Sequence, residues 1–117
     1  MKVLFTASFL KDLNKNRSIN KKDILSLLKK YPHTKSILRI DAFEGNEVLK
    51  CYFLKKRIRA LILLSKVKET FVPVSVIMKE THKGKNISKE TYIDLFSQDI
   101  LKIMKEIDND DYDEIDI

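Results

Sequence analysis

Residues 48–85 read VLKCYFLKKRIRALILLSKVKETFVPVSVIMKETHKGK. Three apolar runs, LKCYFL, IRALILL and FVPVSVIM, are separated by the charged connectors KKR and SKVKET. Short apolar runs rich in β-branched and aromatic residues predict strands. Connectors this short make consecutive strands antiparallel neighbours, a meander. In the first run Val48, Lys50, Tyr52 and Leu54 share one face, and Leu49, Cys51 and Phe53 the other. In the second, Ile58, Ala60, Ile62 and Leu64 share a face, while Arg59 lies with Leu61 and Leu63. Apolar residues on both faces predict a central strand covered on both sides. Arg59 opens that run and so falls at the strand's end, near solvent. The third run contains Pro73, which cannot donate to a ladder and predicts a bulge or an exposed edge near its start.

Upstream, residues 2–6 form a short β-run. Phe9, Leu10 and Leu13 follow at helical spacing, predicting a first helix over residues 8–15, with Thr6 and Ser8 available as caps. Asn20 is an N-cap candidate, with Asp23 placed to meet the positive end of a second helix. Ile24, Leu25, Leu27, Leu28 and Tyr31 give that helix an apolar stripe, and Pro32 ends it. Two helices joined by a basic turn predict a helical hairpin lying on the sheet. ILRIDAF, residues 37–43, reads as a short strand or a loop tucked under the helices, and Glu44-Gly45-Asn46 is turn chemistry. Downstream, Ser88 reads as an N-cap, with Ile87 and Tyr92 at the spacing of a hydrophobic staple. Tyr92, Leu95, Phe96, Ile100, Ile103, Met104 and Ile107 form the stripe of an amphipathic closing helix. The fold class is therefore α+β: an N-terminal strand and a helical hairpin packed on a twisted antiparallel sheet, closed by a C-terminal helix.

At 117 residues the chain makes one domain with a single modest core. Net charge is +6, with an uneven distribution. Residues 106–117 hold seven acids and no base, which leaves 23 basic against 10 acidic residues, +13, in residues 1–105. We divide the chain there, into a domain over 1–105 and an acidic tail over 106–117. A basic body favours an anionic partner such as nucleic acid. For the tail, a disordered solubilising extension is the preferred reading. The alternatives are a short strand or helix docked through Tyr112, Ile115 and Ile117, or a segment folded over the basic cleft. Cys51 is the sole cysteine, so an internal disulfide is excluded and a reducing cytoplasm is the default. No apolar run has the length of a membrane span, and MKVLFTASFLKDL is broken too early by charge to read as a signal peptide.

Metal-ligand spacing, a glycine-rich phosphate loop and a nucleophile elbow are all missing from the sequence, so no cofactor is expected. What remains is cationic. Arg57, Arg59, Lys79, Lys83 and Lys85, with His82 and Tyr92 near them, combine phosphate-binding charge with groups that can shuttle protons. RNA carries its own nucleophile, the 2′-hydroxyl. A protein that cuts it must supply a base, cations for the charge developing on phosphorus, and an acid for the leaving 5′-oxygen. Arginine suits the second task because its fork grips two phosphate oxygens. The plain alternative for each residue is structural. His82 reads as a surface histidine, Tyr92 as core, Lys50 and Arg59 as side chains snorkelling from sheet ends, and Cys51 as a small buried hydrophobe.

The order of these features resembles the RelE/ParE superfamily of toxins from bacterial type II toxin–antitoxin pairs, over about residues 1–100. The segments that carry it are MKVLFTASFLKDLNK, KCYFLKKRIRALILL and VIMKETHKGKNISKETY. The last resembles the V-x-K-K-T-x-K segment of the HigB-like branch. The resemblance implies a RelE-like fold and a metal-independent mRNA endonuclease acting in the ribosomal A site. A cognate antitoxin would cover its basic cleft, and no membrane would be involved. It implies that Arg59 holds the scissile phosphate and that Lys50 matches a lysine of the preceding strand, expected to bind RNA phosphate. Lys79 and His82 fall in the second phosphate-binding or proton-transferring group, and Tyr92 near a position that some members fill with a catalytic tyrosine. Arg57, Lys83 and Lys85 are expected to contact RNA phosphates. Two other readings stay open: a ParE-like gyrase inhibitor of the same fold, and a non-catalytic basic module that binds nucleic acid or protein.

Overall fold

The computed structural model describes residues 1–15, 18–55, 57–78 and 89–117, and the side chains of all of these except 78 and 89–95. In chain order the elements are β1 (Lys2–Thr6), α1 (Ala7–Lys15), α2 (Lys21–Leu28), β2 (Ile37–Phe43), β3 (Asn46–Phe53), β4 (Ile58–Ser65), β5 (Thr70–Met78), α3 (Lys89–Asp108) and β6 (Tyr112–Asp116). The protein is α+β. Among the described residues one six-stranded sheet has the order β2-β3-β4-β5-β1-β6.

The meander is present. β2, β3, β4 and β5 are antiparallel neighbours in succession. Phe43 pairs with Asn46 across a two-residue turn in which Glu44 and Gly45 both have positive φ, 51° and 80°. That geometry matches the twist of the flanking strands, and glycine adopts it without strain. β4 is buried along nearly its whole length, as apolar residues on both faces require. Opposite it, Leu61 pairs with Ser75 and Ile62 with Pro73, so Val74 is the extra residue of a bulge. The proline that cannot donate thus sits where the ladder is already broken.

The sheet departs from an all-antiparallel one at β1. This strand pairs in parallel with the start of β5, Lys2 with Thr70 and Val3 with Phe71, so the sheet is mixed. The acidic tail also departs from the disordered reading. α3 runs on to Asp108, and Asp110, at φ 56°, turns the chain back. The Asp111 amide donates to the Glu106 carbonyl and the Asp110 amide to that of Ile107, a Schellman closure. Tyr112–Asp116 then pairs antiparallel with all five residues of β1. Half-buried Tyr112 and Ile115 anchor the strand, and Lys2 and Lys21 lie 3.5 Å and 3.9 Å from Glu114 and Asp113. A free edge on β1 and three apolar side chains outweigh the tail's self-repulsion. β6 lies at the opposite edge of the sheet from β2 and β3, so it does not fold over their cations.

Helices cover both faces. On one, Phe5 meets Phe9 of α1 at 6.1 Å between centroids, Lys21 of α2 lies 5.1 Å over the Phe5 ring, and Tyr31 stands edge-on to Phe71. α2 is fixed by a capping box, with Asn20 accepting from the Asp23 amide and Asp23 accepting from that of Asn20. α3 covers the other face. Its Met104 and Ile107 line a cavity of about 550 Å³ with Leu4, Leu63 and Val72. Asp99 and Ile103 line a smaller cleft with Val74 and Ser75. α3 therefore runs antiparallel to β5, and its first turn lies toward the end of the sheet where β5 finishes and β4 begins.

β1 is shorter than β5, and α1 protects part of the edge that β1 leaves bare. Asp12 accepts from the Val76 amide at 2.7 Å and from the Ser75 hydroxyl at 3.1 Å. One carboxylate thus satisfies two donors at the bulge. Asp12→Ala strands both, at a cost of about 2 kcal/mol in denaturant unfolding, while Asp12→Asn retains an acceptor and loses about half as much.

Candidate nucleic-acid interface

β3 and β4 bring three candidate groups together. Tyr52 and Arg59 are directly opposed in the register, and Lys50 is two residues back along β3. Opposed residues share a face, and so do residues two apart, so all three project from the same side. The Lys50 Nζ lies 5.2 Å from the centre of the Tyr52 ring, and the Arg59 Cζ lies 5.5 Å from it. All three side chains are half-buried. The Arg59 Nε is shielded from solvent and, among the described residues, meets no hydrogen-bond acceptor. A guanidinium held in that way keeps a desolvated N–H in reserve for an incoming acceptor.

Arg57 sits in the turn between β3 and β4, exposed, with its amide donating to the Leu54 carbonyl at 3.1 Å. Leu54 and Lys55 in this turn have positive φ, 49° and 54°, which re-aims the chain between the strands. Tyr92 belongs to the first turn of α3, and that turn lies toward the same end of the sheet as Arg59. β5 finishes at Met78, whose Cα partner is Ile58, the neighbour of Arg59. Lys79, His82, Lys83 and Lys85 lie outside the described residues. The geometry thus unites Lys50 with Arg59, puts Arg57 beside them in sequence and in the turn, and orients α3 toward that end.

Tyr52 is the member of this cluster to which the sequence assigned no role. The period of two that places it on the face of Lys50 also lets it read as one more sheet aromatic. Its cross-strand partner, a cation, is the signal that distinguishes it.

Other charged groups are engaged elsewhere. The Glu47 Oε1 lies 3.3 Å from the Arg39 Nε and 3.2 Å from the Lys66 Nζ, tying β2 to the β4–β5 turn. Tyr31 faces this carboxylate, and its phenol is raised above the ordinary range, first by burial and then by the negative charge of Glu47. Asp99 is raised as well, by burial and by the neighbouring Asp12. Cys51 points to the opposite face from Lys50, is fully buried, and has its thiol pushed strongly up by desolvation. At neutral pH it is a protonated core residue, as its alternation predicts. Among the described residues, no group of three histidine, cysteine or acidic side chains could hold a metal ion. No helix there is long and apolar enough to cross a membrane.

No protein-family model matches the chain, and no curated protein or solved structure matches it.

Proposed function

We propose that the protein is a RelE-like toxin of a toxin–antitoxin pair, cutting mRNA without a metal ion and with the message on the ribosome. What carries the reading is Arg59. It is a half-buried guanidinium on a sheet end, with Lys50 against the same tyrosine ring and an Nε that meets no acceptor among the described residues. Support also comes from the order β1-α1-α2-meander-α3 together with the RelE/ParE-like segments of the sequence.

In this reading the chemistry is borne by the substrate. The ribose 2′-hydroxyl attacks the adjacent phosphorus, and the 5′-oxygen of the next nucleotide leaves. Negative charge grows on the non-bridging oxygens as the bond forms, and Arg59 and Lys50 stabilise it more strongly there than in the ground state. Lys79, His82 and Tyr92 are the candidates for the proton transfers, with Arg57, Lys83 and Lys85 on flanking phosphates. The partner that silences the site is an antitoxin able to cover this cationic face.

The test is the purified chain added to a translating cell-free extract, with the message recovered and its ends mapped. Fragments ending in a 2′,3′-cyclic phosphate or 3′-phosphate, with 5′-hydroxyl partners, are expected. An intact message with gyrase-linked DNA breaks would transfer the reading to the ParE-like alternative. Salt-dependent RNA binding without scission would leave a non-catalytic module.

A further inference from the structure

Tyr52 has no task in the chemistry above, yet two cations rest against its ring. We propose that Tyr52 is the stacking platform for a nucleobase of single-stranded RNA, and that Lys50 and Arg59 occupy its faces until RNA arrives. The inference rests on the reading of this site as RNA-binding, and it names how that site grips its substrate.

The argument is an exchange of partners. A cation against an aromatic ring at a partly exposed site is weakly held. A phosphate offers the same cation charge-assisted hydrogen bonds, which are about twice as strong as neutral ones. A phosphodiester entering the cluster therefore draws the heads of Lys50 and Arg59 off the ring. The backbone need not follow, because both residues sit in one antiparallel strand pair and only their long side chains rotate. The ring face they leave is where a base stacks, and stacking of this kind tolerates any sequence. The apolar surface also continues beyond the ring. Leu38 of β2, 46% exposed, is the Cα partner of Lys50 and so shares its face. Two cations for neighbouring phosphates and one ring for the base between them form the minimal grip for a nucleotide. A protein partner would use the ring and Leu38 but leave the cations without phosphates.

The chain has no tryptophan, so Tyr52→Trp introduces a single indole reporter. Two probes are titrated: a short single-stranded RNA, and an abasic ribose-phosphate chain of the same length and charge. Quenching of the indole by the RNA and not by the abasic chain is expected. Tyr52→Leu should weaken RNA binding roughly tenfold to a hundredfold. Its salt dependence should match the parent's, because the same phosphates are contacted. Tyr52→Phe, which keeps the ring, should lose much less affinity than Tyr52→Leu, which separates stacking from loss of the hydroxyl. If Tyr52→Leu binds RNA as tightly as the parent and the indole is not quenched, the platform is refuted while RNA binding stands. If the parent binds neither probe, the platform falls together with the reading it rests on.

Discussion

Arg59→Ala is expected to slow message cleavage by about two to three orders of magnitude, the cost of deleting one preorganised donor to a developing negative charge. The measurement is the rate of fragment appearance in the translating extract, with growth arrest on expression as its cellular counterpart. The effect should fall on the chemical step, because Lys50 remains to hold the phosphate in the ground state. Arg59→Lys should recover only part of the rate, because an ammonium supplies the charge without the planar fork. The folding control has an informative sign. Among the described residues the buried Arg59 Nε has no acceptor, and a group left so costs the free protein its desolvation. Arg59→Met keeps the apolar stem and removes the polar head. Its unfolding free energy should equal or slightly exceed the parent's while cleavage is lost. Stability traded for activity in this way marks a site built for a ligand. A residue that only braced the sheet would show the reverse, a destabilised Arg59→Met that still cuts.

The sequence was most legible where structure is decided within a few residues. Asn20 and Asp23 announce the start of α2, Glu44-Gly45 the hairpin turn, and Pro73 the bulge, because each is set by local backbone chemistry. The meander follows from three apolar runs with connectors too short for any crossover. The convergence of Lys50 and Arg59 follows from that same step, since a tight β3–β4 connection and a period of two place them on one face. β1 and β6 were harder to read. β1 pairs with β5 across more than sixty residues, and no local feature announces that the pairing is parallel. The tail's composition argues for disorder, and only the bare edge of β1, a tertiary fact, explains why its three apolar residues suffice to dock it. Tyr52 was missed for a related reason. Its meaning comes from the residue across the strand, and pairing partners are not adjacent in the sequence.

Phe71→Ala is expected to remove about 3–5 kcal/mol of unfolding free energy, a large share of the 5–15 kcal/mol that holds a domain of this size. Phe71 is fully buried where several elements meet. Its Cα partners are Leu64 on β4 and Val3 on β1, and the Tyr31 ring stands on it at 5.6 Å and 88°. Losing the ring therefore empties a space between the parallel and antiparallel parts of the sheet and the connector after α2. The surrounding strands are fixed by their ladders, so collapse into that space is incomplete and a cavity cost adds to the transfer cost. Phe71→Leu should lose less than half as much, and Tyr31→Phe, which keeps the edge-on ring, less than about 1 kcal/mol. Denaturant midpoints at constant m-value read all three. The location also makes a functional prediction. Phe71 and Leu64 lie at one end of the β4–β5 pair, and Arg59, opposite Ile77, at the other. Under conditions where Phe71→Ala remains folded, its RNA affinity should equal the parent's, whereas Arg59→Met should lose activity with its midpoint unchanged or slightly raised. Such a double dissociation would separate what holds the sheet together from what the sheet holds out to RNA.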